Sequence, residues 1–203
     1  MLLTEAMRDN REEIENTIRL AADWAGKTQG PEAAESILGK LMGTATYEVV
    51  MEAMPAPPAR VLDVGTSIGV MPLLLKKRGY YVAACDLPSS MDTFRPFLES
   101  QEGIPCIAHD LMQGELPYAT ASFDVILFKD VLEHLPFSPR STLQSFYRIL
   151  SSGGQLLLTT PNLSRLSTRA RAIAGLSVRP PVEMWYEPTF HSGVITASTY
   201  LTS

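Results

Sequence analysis

The residues best suited to binding a nucleotide-like ligand lie in one stretch, Val-Leu-Asp-Val-Gly-Thr-Ser-Ile-Gly-Val, at positions 61–70. An apolar run ends at Asp63 and Gly65, and Gly69 opens a helical pattern, which predicts a strand, a tight turn and a helix N-terminus. Glycines let a ligand approach the backbone, and the first N–H groups of a helix point outward. A purely structural turn would have the same pattern, because such turns are common in doubly wound proteins.

Three aspartates follow apolar runs, and we expect them at one edge of a sheet, because parallel strands end together. Asp63 ends the first run. Asp86 comes about 20 residues after Gly65, where a carboxylate can accept hydrogen bonds from ribose hydroxyls. Asp110 ends the third run and can accept from an adenine amino group. Each acid alone also fits a helix cap, a solvated loop or a salt bridge, but the three together with the glycine turn favour a nucleotide site.

Apolar runs and helical patterns alternate along the rest of the chain, which predicts an α/β fold with a doubly wound, mostly parallel, Rossmann-like sheet. The predicted strands are 60–64, 81–85, 104–108, 123–128 and 155–159. The predicted helices are 4–25, 31–54, 69–78, 90–100, 139–150 and 163–174. We divide the chain into an N-terminal helical extension at 1–58, packed on the core or acting as a lid with Tyr47 as a ligand contact, and a main domain at 59–203.

Composition narrows the class of protein. The 203 residues are 45% hydrophobic and 19% charged with a net charge of −5, which indicates a globular chain and argues against nucleic acid as a partner. The first residues do not resemble a leader and no apolar run is long enough for a bilayer, so we expect a cytoplasmic protein with no membrane partner. Cys85 and Cys106 are expected to be buried thiols rather than a disulfide or redox pair.

Three segments resemble the class I S-adenosylmethionine-dependent methyltransferases. The pattern D-x-G-x-S-x-G at 63–69 is similar to their first motif, D/E-x-G-x-G-x-G, with Ser67 in place of the middle glycine. The stretch S-F-D-V-I-L-F-K-D-V-L-E-H-L at 122–135 and the stretch L-S-S-G-G-Q-L-L-L-T-T-P-N at 150–162 resemble two later segments of the small-molecule enzymes. The matches occur in the family order over half the chain. A nicotinamide oxidoreductase is disfavoured, since its G-x-G-x-x-G would need glycines at Ser67 and Val70.

The resemblance implies S-adenosylmethionine as the cofactor, with S-adenosylhomocysteine as its product, and assigns site residues by position. It places the methionine part on Gly65, Thr66, Ser67 and Gly69, and the amino group of that part on Asp63. It places the ribose on Asp86 and Leu87 and the adenine on Asp110 and Leu111. The backbone of Lys129 lies beside the sulfonium arm in this assignment. We expect the Lys129 side chain to turn away from the sulfonium or to pair with Asp130, because like charges repel.

The implied reaction is methyl transfer by in-line displacement to a small molecule or a glycan-like metabolite, with oxygen as the favoured acceptor atom. Candidates for proton removal are His191, His134 and Asp130; His134 also fits a packing or capping role. No residues have metal-ligand spacing, so no metal is expected. The alternatives are a catalytically silent binding or scaffold protein and a methyltransferase acting on nucleic acid or protein.

The C-terminus is shorter than the family pattern, which adds a helix and an antiparallel strand pair after the fifth strand. Either the chain is a truncated form, or its last residues form a replacement strand. An unpaired, apolar fifth strand would be prone to aggregation. We therefore predict that a strand at 194–201 or a homodimer covers the edge formed by Leu156–Leu158.

Overall fold

The protein forms a six-stranded sheet in a computed structural model that describes residues 5–42, 46–160, 173 and 199–202. The strand order is β3-β2-β1-β4-β5-β6; β1 to β5 are parallel, and β6 runs antiparallel to β5. The strands are β1 Arg60–Val64, β2 Tyr81–Asp86, β3 Cys106–Ala108, β4 Phe123–Lys129, β5 Leu150–Thr159 and β6 Thr199–Thr202. The predicted doubly wound sheet is confirmed.

The helices agree with the prediction except in the N-terminal region. They are α1 Glu5–Gln29, α2 Pro31–Leu41, α3 Thr46–Ala53, α4 Val70–Lys77, α5 Pro88–Glu102 and α6 Arg140–Ile149, with 3-10 turns at Leu111–Gln113 and Leu132–His134. The single helix predicted at 31–54 is wrong, because α2 ends at Leu41 with Met42 in an extended conformation. Gly43 follows in the sequence and is a common helix stop. The prediction of a helix at 163–174 lies outside the described residues apart from position 173.

The strands are apolar because the sheet is covered on both faces. On one face, Val61, Val125 and Leu127 pack with residues of α1 to α5. On the other face, Leu62 and Phe128 pack with residues of α6 and the loop before β4. Successive side chains of a strand point to opposite faces of the sheet. The polar residues at the strand ends therefore also point to one face or the other.

Helix α1 is part of the first of these cores. Its apolar side is fully covered and lines the same cluster as β1 and α4; the buried members are Ile14, Ile18, Ala21, Ala22 and Ala25. At the end of α4, Arg78 forms an ion pair with Glu13 of α1 at 2.6 Å and also donates to Asn10. The division of the chain at residue 58 remains a prediction.

An Ile18→Ala variant tests whether α1 folds together with the sheet. Ile18 is 1% exposed, and removing a buried isoleucine side chain costs about 2–5 kcal/mol in the free energy of unfolding. We expect that loss in a single cooperative denaturation. The control is Leu20→Ala on the same helix, where the side chain is 39% exposed and the change should be about 0.5 kcal/mol or less. Unchanged global stability in the Ile18 variant would show that α1 opens independently, as a separate lid would.

The edge of β5 is paired within the chain. Residues Leu156, Leu157 and Leu158 of β5 lie opposite Leu201, Tyr200 and Thr199 of β6. The prediction that a C-terminal strand covers this edge is confirmed for Thr199–Thr202, while 194–198 lie outside the described residues. This pairing satisfies β5 without a second copy of the chain. Among the helices that the structure describes, none combines the length and apolar character that a membrane span requires.

The two cysteines are free thiols on opposite faces of the sheet. Cys106 lies opposite Ala84 in the β2–β3 pairing, so Cys85, one residue further along β2, points to the other face. Cys106 belongs to the core under α1 to α5, and Cys85 to the core on the α6 face. Burial is the main cause that raises the pKa of Cys85 to about 12 and that of Cys106 to about 11. The prediction of buried thiols is confirmed.

Candidate functional site

The turn between β1 and α4 lies at the carboxyl edge of the sheet, beside the point where the strand order reverses between β1 and β4. Gly65, Ser67 and Gly69 have φ angles of 84°, 53° and 82°, all in the left-handed region. Serine adopts this region less readily than glycine, so Ser67 occupies a position that suits the glycine of the family motif better. The Gly65 N–H donates to Cys85 O at 2.9 Å, which fixes the turn against the end of β2.

Both glycines of this turn, Gly65 and Gly69, sit where a side chain would not fit. A Cβ on Gly65 would lie 2.2 Å from Cγ2 of Val131, and a Cβ on Gly69 would lie 2.7 Å from Cδ2 of Leu98. Both distances are far below a van der Waals contact. Val131 and Leu98 therefore pack against the turn too closely for a side chain at either glycine.

Asp63 is a buried carboxylate at the end of β1. It is 2% exposed and accepts a hydrogen bond from Thr66 Oγ1 at 2.9 Å. Burial raises the pKa of Asp63 to about 6, although the Thr66 hydrogen bond and the positive charge of Lys129 lower it. A carboxyl group whose ionisation is opposed by burial is well suited to receive a cationic group of a ligand, which would favour the ionised form.

Asp86, at the end of β2, is bonded to the glycine turn. Its Oδ2 accepts from the Ser67 N–H at 2.5 Å and its Oδ1 accepts from the Leu87 N–H at 2.7 Å. Burial raises the pKa of Asp86, while these two backbone hydrogen bonds lower it. The Ser90 side chain also hydrogen-bonds this carboxylate, so of the roughly four acceptor positions on its two oxygens about one remains for a ligand hydroxyl.

The third strand end combines an acid with exposed apolar side chains. Asp110 begins the 3-10 turn Leu111–Gln113 and accepts from the Met112 N–H at 2.9 Å. Met112 is 63% exposed and Leu87 is 47% exposed, although both are large apolar residues. Exposed apolar side chains that follow two adjacent strands, beside hydrogen-bonding groups, suit a flat ring such as adenine. The sequence analysis did not identify Met112, because nothing in its local pattern distinguishes it from an ordinary loop methionine.

Lys129 ends β4 and pairs with its neighbour, as predicted. Its Nζ lies 2.9 Å from Asp130 Oδ2 and 5.4 Å from the centre of the Tyr47 ring on α3. Tyr47 is 5% exposed. Burial lowers the pKa of Lys129, but Tyr47, Asp130 and Asp63 outweigh burial and raise it overall. The lysine is thus a cation at neutral pH, held on the face of the sheet that α3 covers.

The candidate bases differ in their surroundings. Asp130 is committed to Lys129 and also accepts from Thr159 Oγ1 at 3.0 Å. His134 lies in the 3-10 turn Leu132–His134 with its side chain at the surface. His191 lies outside the described residues. Within the described ranges, no group of histidine, cysteine and acidic residues could hold a metal ion.

Glu133 is a candidate base that the sequence analysis did not select, although the motif at 122–135 contains it. Its Oε2 is buried and has no hydrogen-bond partner among the residues that the structure describes. Burial raises the pKa of Glu133 to about 7. A carboxylate with a pKa close to the working pH can take up a proton from an acceptor group.

A parallel sheet with a glycine turn after β1 and an acid at or just after the end of each of its first three strands defines the class of Rossmann-like nucleotide-binding proteins, to which the S-adenosylmethionine-dependent methyltransferases belong. A family model described as a methyltransferase domain matches residues 40–191. The chain therefore belongs to the methyltransferase-domain family, and S-adenosylmethionine is the cofactor that this family and fold imply.

The similarity to individual relatives is low, and the alignment covers only part of each relative. The chain is 28% identical over 107 residues to the ubiquinone biosynthesis O-methyltransferase of Pseudomonas aeruginosa, covering 51% of this chain and 44% of that protein. It is 33% identical over 116 residues to the tRNA 5-carboxymethoxyuridine methyltransferase of Escherichia coli, covering 54% and 42%. The chain thus spans less than half the length of these curated relatives.

A solved structure shares the fold. The S-adenosylmethionine-dependent methyltransferase of Mesorhizobium loti superposes with a TM-score of 0.52 and 24% sequence identity, covering 59% of this chain and 55% of that one. The residues at the carboxyl edge fit the implied cofactor chemically. Asp63 offers a buried carboxylate for its ammonium group, Asp86 offers an acceptor oxygen for a hydroxyl, and Leu87 and Met112 offer apolar surface for a ring.

Proposed function

We propose that this protein transfers a methyl group from S-adenosylmethionine to an oxygen atom of a small molecule or a glycan-like metabolite. The observation that supports it best is the hydrogen-bonded unit of Asp63, Thr66, Ser67 and Asp86, in which two strand-end acids are joined through the glycine turn. Such a unit presents a carboxylate for an amino group and a second carboxylate for a hydroxyl at one edge of the sheet.

The bound cofactor would supply a methyl group already activated by a positive sulfonium. The protein's own contribution is then to hold and orient the reactants, which can account for a large part of a rate enhancement. We assign the methionine part to Gly65, Thr66, Ser67 and Gly69, with Asp63 at its amino group. Asp86 and Leu87 would hold the ribose, and Asp110, Leu111 and Met112 the adenine.

Proton removal from the acceptor is assigned to Glu133. Its buried, unpartnered oxygen and its pKa of about 7 favour it over Asp130, whose two oxygens are bonded to Lys129 and Thr159. His134 belongs to the same turn as Glu133 and is the second candidate, and His191 stays a candidate from the sequence. A Glu133→Gln variant with unchanged cofactor affinity and reduced turnover would support the assignment.

A nucleic-acid acceptor is the second candidate function, because the Escherichia coli relative is named a tRNA methyltransferase. The net charge of −5 argues against a general affinity for RNA. Formation of S-adenosylhomocysteine should be measured with a panel of small hydroxylated acceptors and with bulk tRNA. Turnover on tRNA alone would overturn the small-molecule proposal. Cofactor binding without turnover on any acceptor would favour a catalytically silent binding protein. The replacement of the middle glycine of the motif by Ser67 also supports that interpretation.

Titrating S-adenosylhomocysteine into wild type and Asp86→Asn by calorimetry tests the cofactor site. Asparagine keeps one oxygen for the turn but loses the charge that strengthens hydrogen bonds to hydroxyls, so we expect about tenfold weaker binding, or about 1.4 kcal/mol. Asp9→Asn on the exposed side of α1 makes the same change in net charge next to Asn10, which bonds Arg78 at the end of α4 opposite the glycine turn, and should bind like wild type. A folded wild type that binds no cofactor would contradict the proposal.

A further inference from the structure

Lys129 places a fixed positive charge at the carboxyl edge, on the same face as Asp63. Asp63 of β1 lies opposite Leu127 of β4, and Lys129 is two residues further along β4, so both side chains leave the sheet on one face. This is the face covered by α3, which contributes Tyr47. The cation therefore stands next to the carboxylate that we assign to the amino group of the cofactor.

The ammonium group is held from two sides. Asp130 Oδ2 accepts from it at 2.9 Å, and the Tyr47 ring offers its face at 5.4 Å, within the range of a cation–π contact. Asp130 is itself fixed, since its N–H donates to Thr159 O at 3.0 Å and its Oδ1 accepts from Thr159 Oγ1. The side chain of Lys129 is 22% exposed. The Lys129 side chain is thus held in place by its neighbours but is still accessible to solvent.

In the proposed function, the position of this charge is unfavourable for the cofactor alone. A sulfonium is positive, and a second cation on the same side of the site repels it. An ammonium has three N–H donors, and among the residues that the structure describes Asp130 is its one hydrogen-bond acceptor. A negatively charged ligand group beside Lys129 would use the remaining donors and offset the repulsion.

We propose that Lys129 binds and positions an anionic oxygen group of the methyl acceptor, so that the acceptor class is a carboxylate or a comparably charged small molecule. This inference rests on the proposed methyl transfer. Asp130 and Tyr47 act through Lys129: Asp130 keeps the ammonium at the edge when no acceptor is bound, and Tyr47 limits its movement from the α3 side. Selection of the acceptor then depends on its charge as well as its shape.

The cofactor also carries a carboxylate, and the first measurement separates the two sources. S-adenosylhomocysteine is titrated into wild type, Lys129→Met and Lys129→Arg. At about pH 8, where Asp63 is ionised with or without the Lys129 charge, we expect dissociation constants within about threefold of one another, because only the backbone of Lys129 is placed beside the cofactor and its ammonium serves the acceptor. A loss of tenfold or more in Lys129→Met would show that the lysine binds the cofactor's own carboxylate and would overturn the inference. Absence of binding by wild type would overturn the proposed function itself, which is a different result.

The second measurement uses benzoate and benzamide, which match in size and differ in charge, titrated into protein saturated with S-adenosylhomocysteine. Wild type should bind benzoate at least tenfold more tightly than benzamide. Lys129→Met should remove the difference and Lys129→Arg should keep it. Asp130→Asn should bind benzoate more tightly than wild type, since the ammonium loses its competing partner; asparagine tolerates the left-handed φ of 54° at this position. Equal binding of the two probes by wild type, including no binding of either, would overturn the inference.

Discussion

A Gly65→Ala variant is expected to lose about 2–5 kcal/mol of folding stability and to lose measurable cofactor binding. The φ angle of 84° costs an alanine about 1–2 kcal/mol. The added Cβ would also lie 2.2 Å from Val131 Cγ2, and overpacking of this kind costs about 1–3 kcal/mol. Valine cannot rotate away easily, because its branched Cβ restricts its side chain. Chemical denaturation and calorimetric titration with S-adenosylhomocysteine measure the two effects.

Two matched variants separate the causes. Gly103 has a φ of 60°, and a Cβ there would meet nothing within 4 Å, so Gly103→Ala should show the backbone cost alone, about 1–2 kcal/mol, with normal binding. The double variant Gly65→Ala with Val131→Ala should recover part of the stability that the clash removes. Equal losses in the Gly65 and Gly103 variants would show that the close packing around the turn is unimportant.

The affinity for S-adenosylhomocysteine is expected to fall about tenfold for each pH unit below about 6. Burial raises the pKa of Asp63 to about 6 without ligand, and an ammonium group beside the carboxylate would lower that pKa in the complex. Binding then releases a proton at acidic pH, so affinity is constant above pH 6 and decreases as the pH falls towards the pKa of the complex. Calorimetric titrations between pH 5 and pH 7.5 measure the slope.

Two controls assign the slope to Asp63. Asp63→Asn should bind more weakly at pH 7.5 and show no slope between pH 5 and pH 6. In the wild type, 5′-methylthioadenosine should also show no slope, since it lacks the amino-acid part. An equal slope for both ligands would assign the titration to another group, such as Glu133 with its pKa of about 7.

Asp63 should also make the folding stability depend on pH, in the direction opposite to its effect on cofactor affinity. The pKa of Asp63 is higher in the folded state than its ordinary value of 3.8, so its contribution to stability is greatest below about pH 4 and is lost as the pH rises through 6. Asp63→Asn removes the cost of burying a charge. We therefore expect this variant to be more stable than wild type at pH 7 by about 1–3 kcal/mol while binding the cofactor less well.

The sequence could predict the strand-end acids because each follows an apolar run whose length matches a buried strand. Asp63 is the next-to-last residue of β1, Asp86 ends β2, and Asp110 comes two residues after β3. The parallel, doubly wound sheet could be predicted because strands and helices alternate along the chain, whereas the order of the strands is known from the structure. The break between α2 and α3 was missed, because the apolar residues on either side of Gly43 continue one helical pattern and local propensity alone decides such a boundary weakly.

The parts of the site that were not predicted depend on contacts between distant segments. Tyr47 was predicted as a ligand contact, but its contact with Lys129 was not. The two residues are 82 positions apart in the sequence and meet only because α3 packs beside the end of β4. The raised pKa of Glu133 comes from burial of its side chain, which no local pattern specifies. Charge and burial at a site are set by tertiary packing, so they could only be read from the structure.

The opposite placement of the two thiols has a practical consequence for following unfolding. Cys106 lies under α5 and Cys85 faces α6, so a thiol-reactive reagent can reach them only when the respective side of the sheet opens. Comparing labelling rates of Cys85→Ala and Cys106→Ala variants would show whether the two sides open together or separately. Equal rates that follow global denaturation would indicate one cooperative unit, whereas faster labelling at Cys106 would reveal partial opening beneath α5.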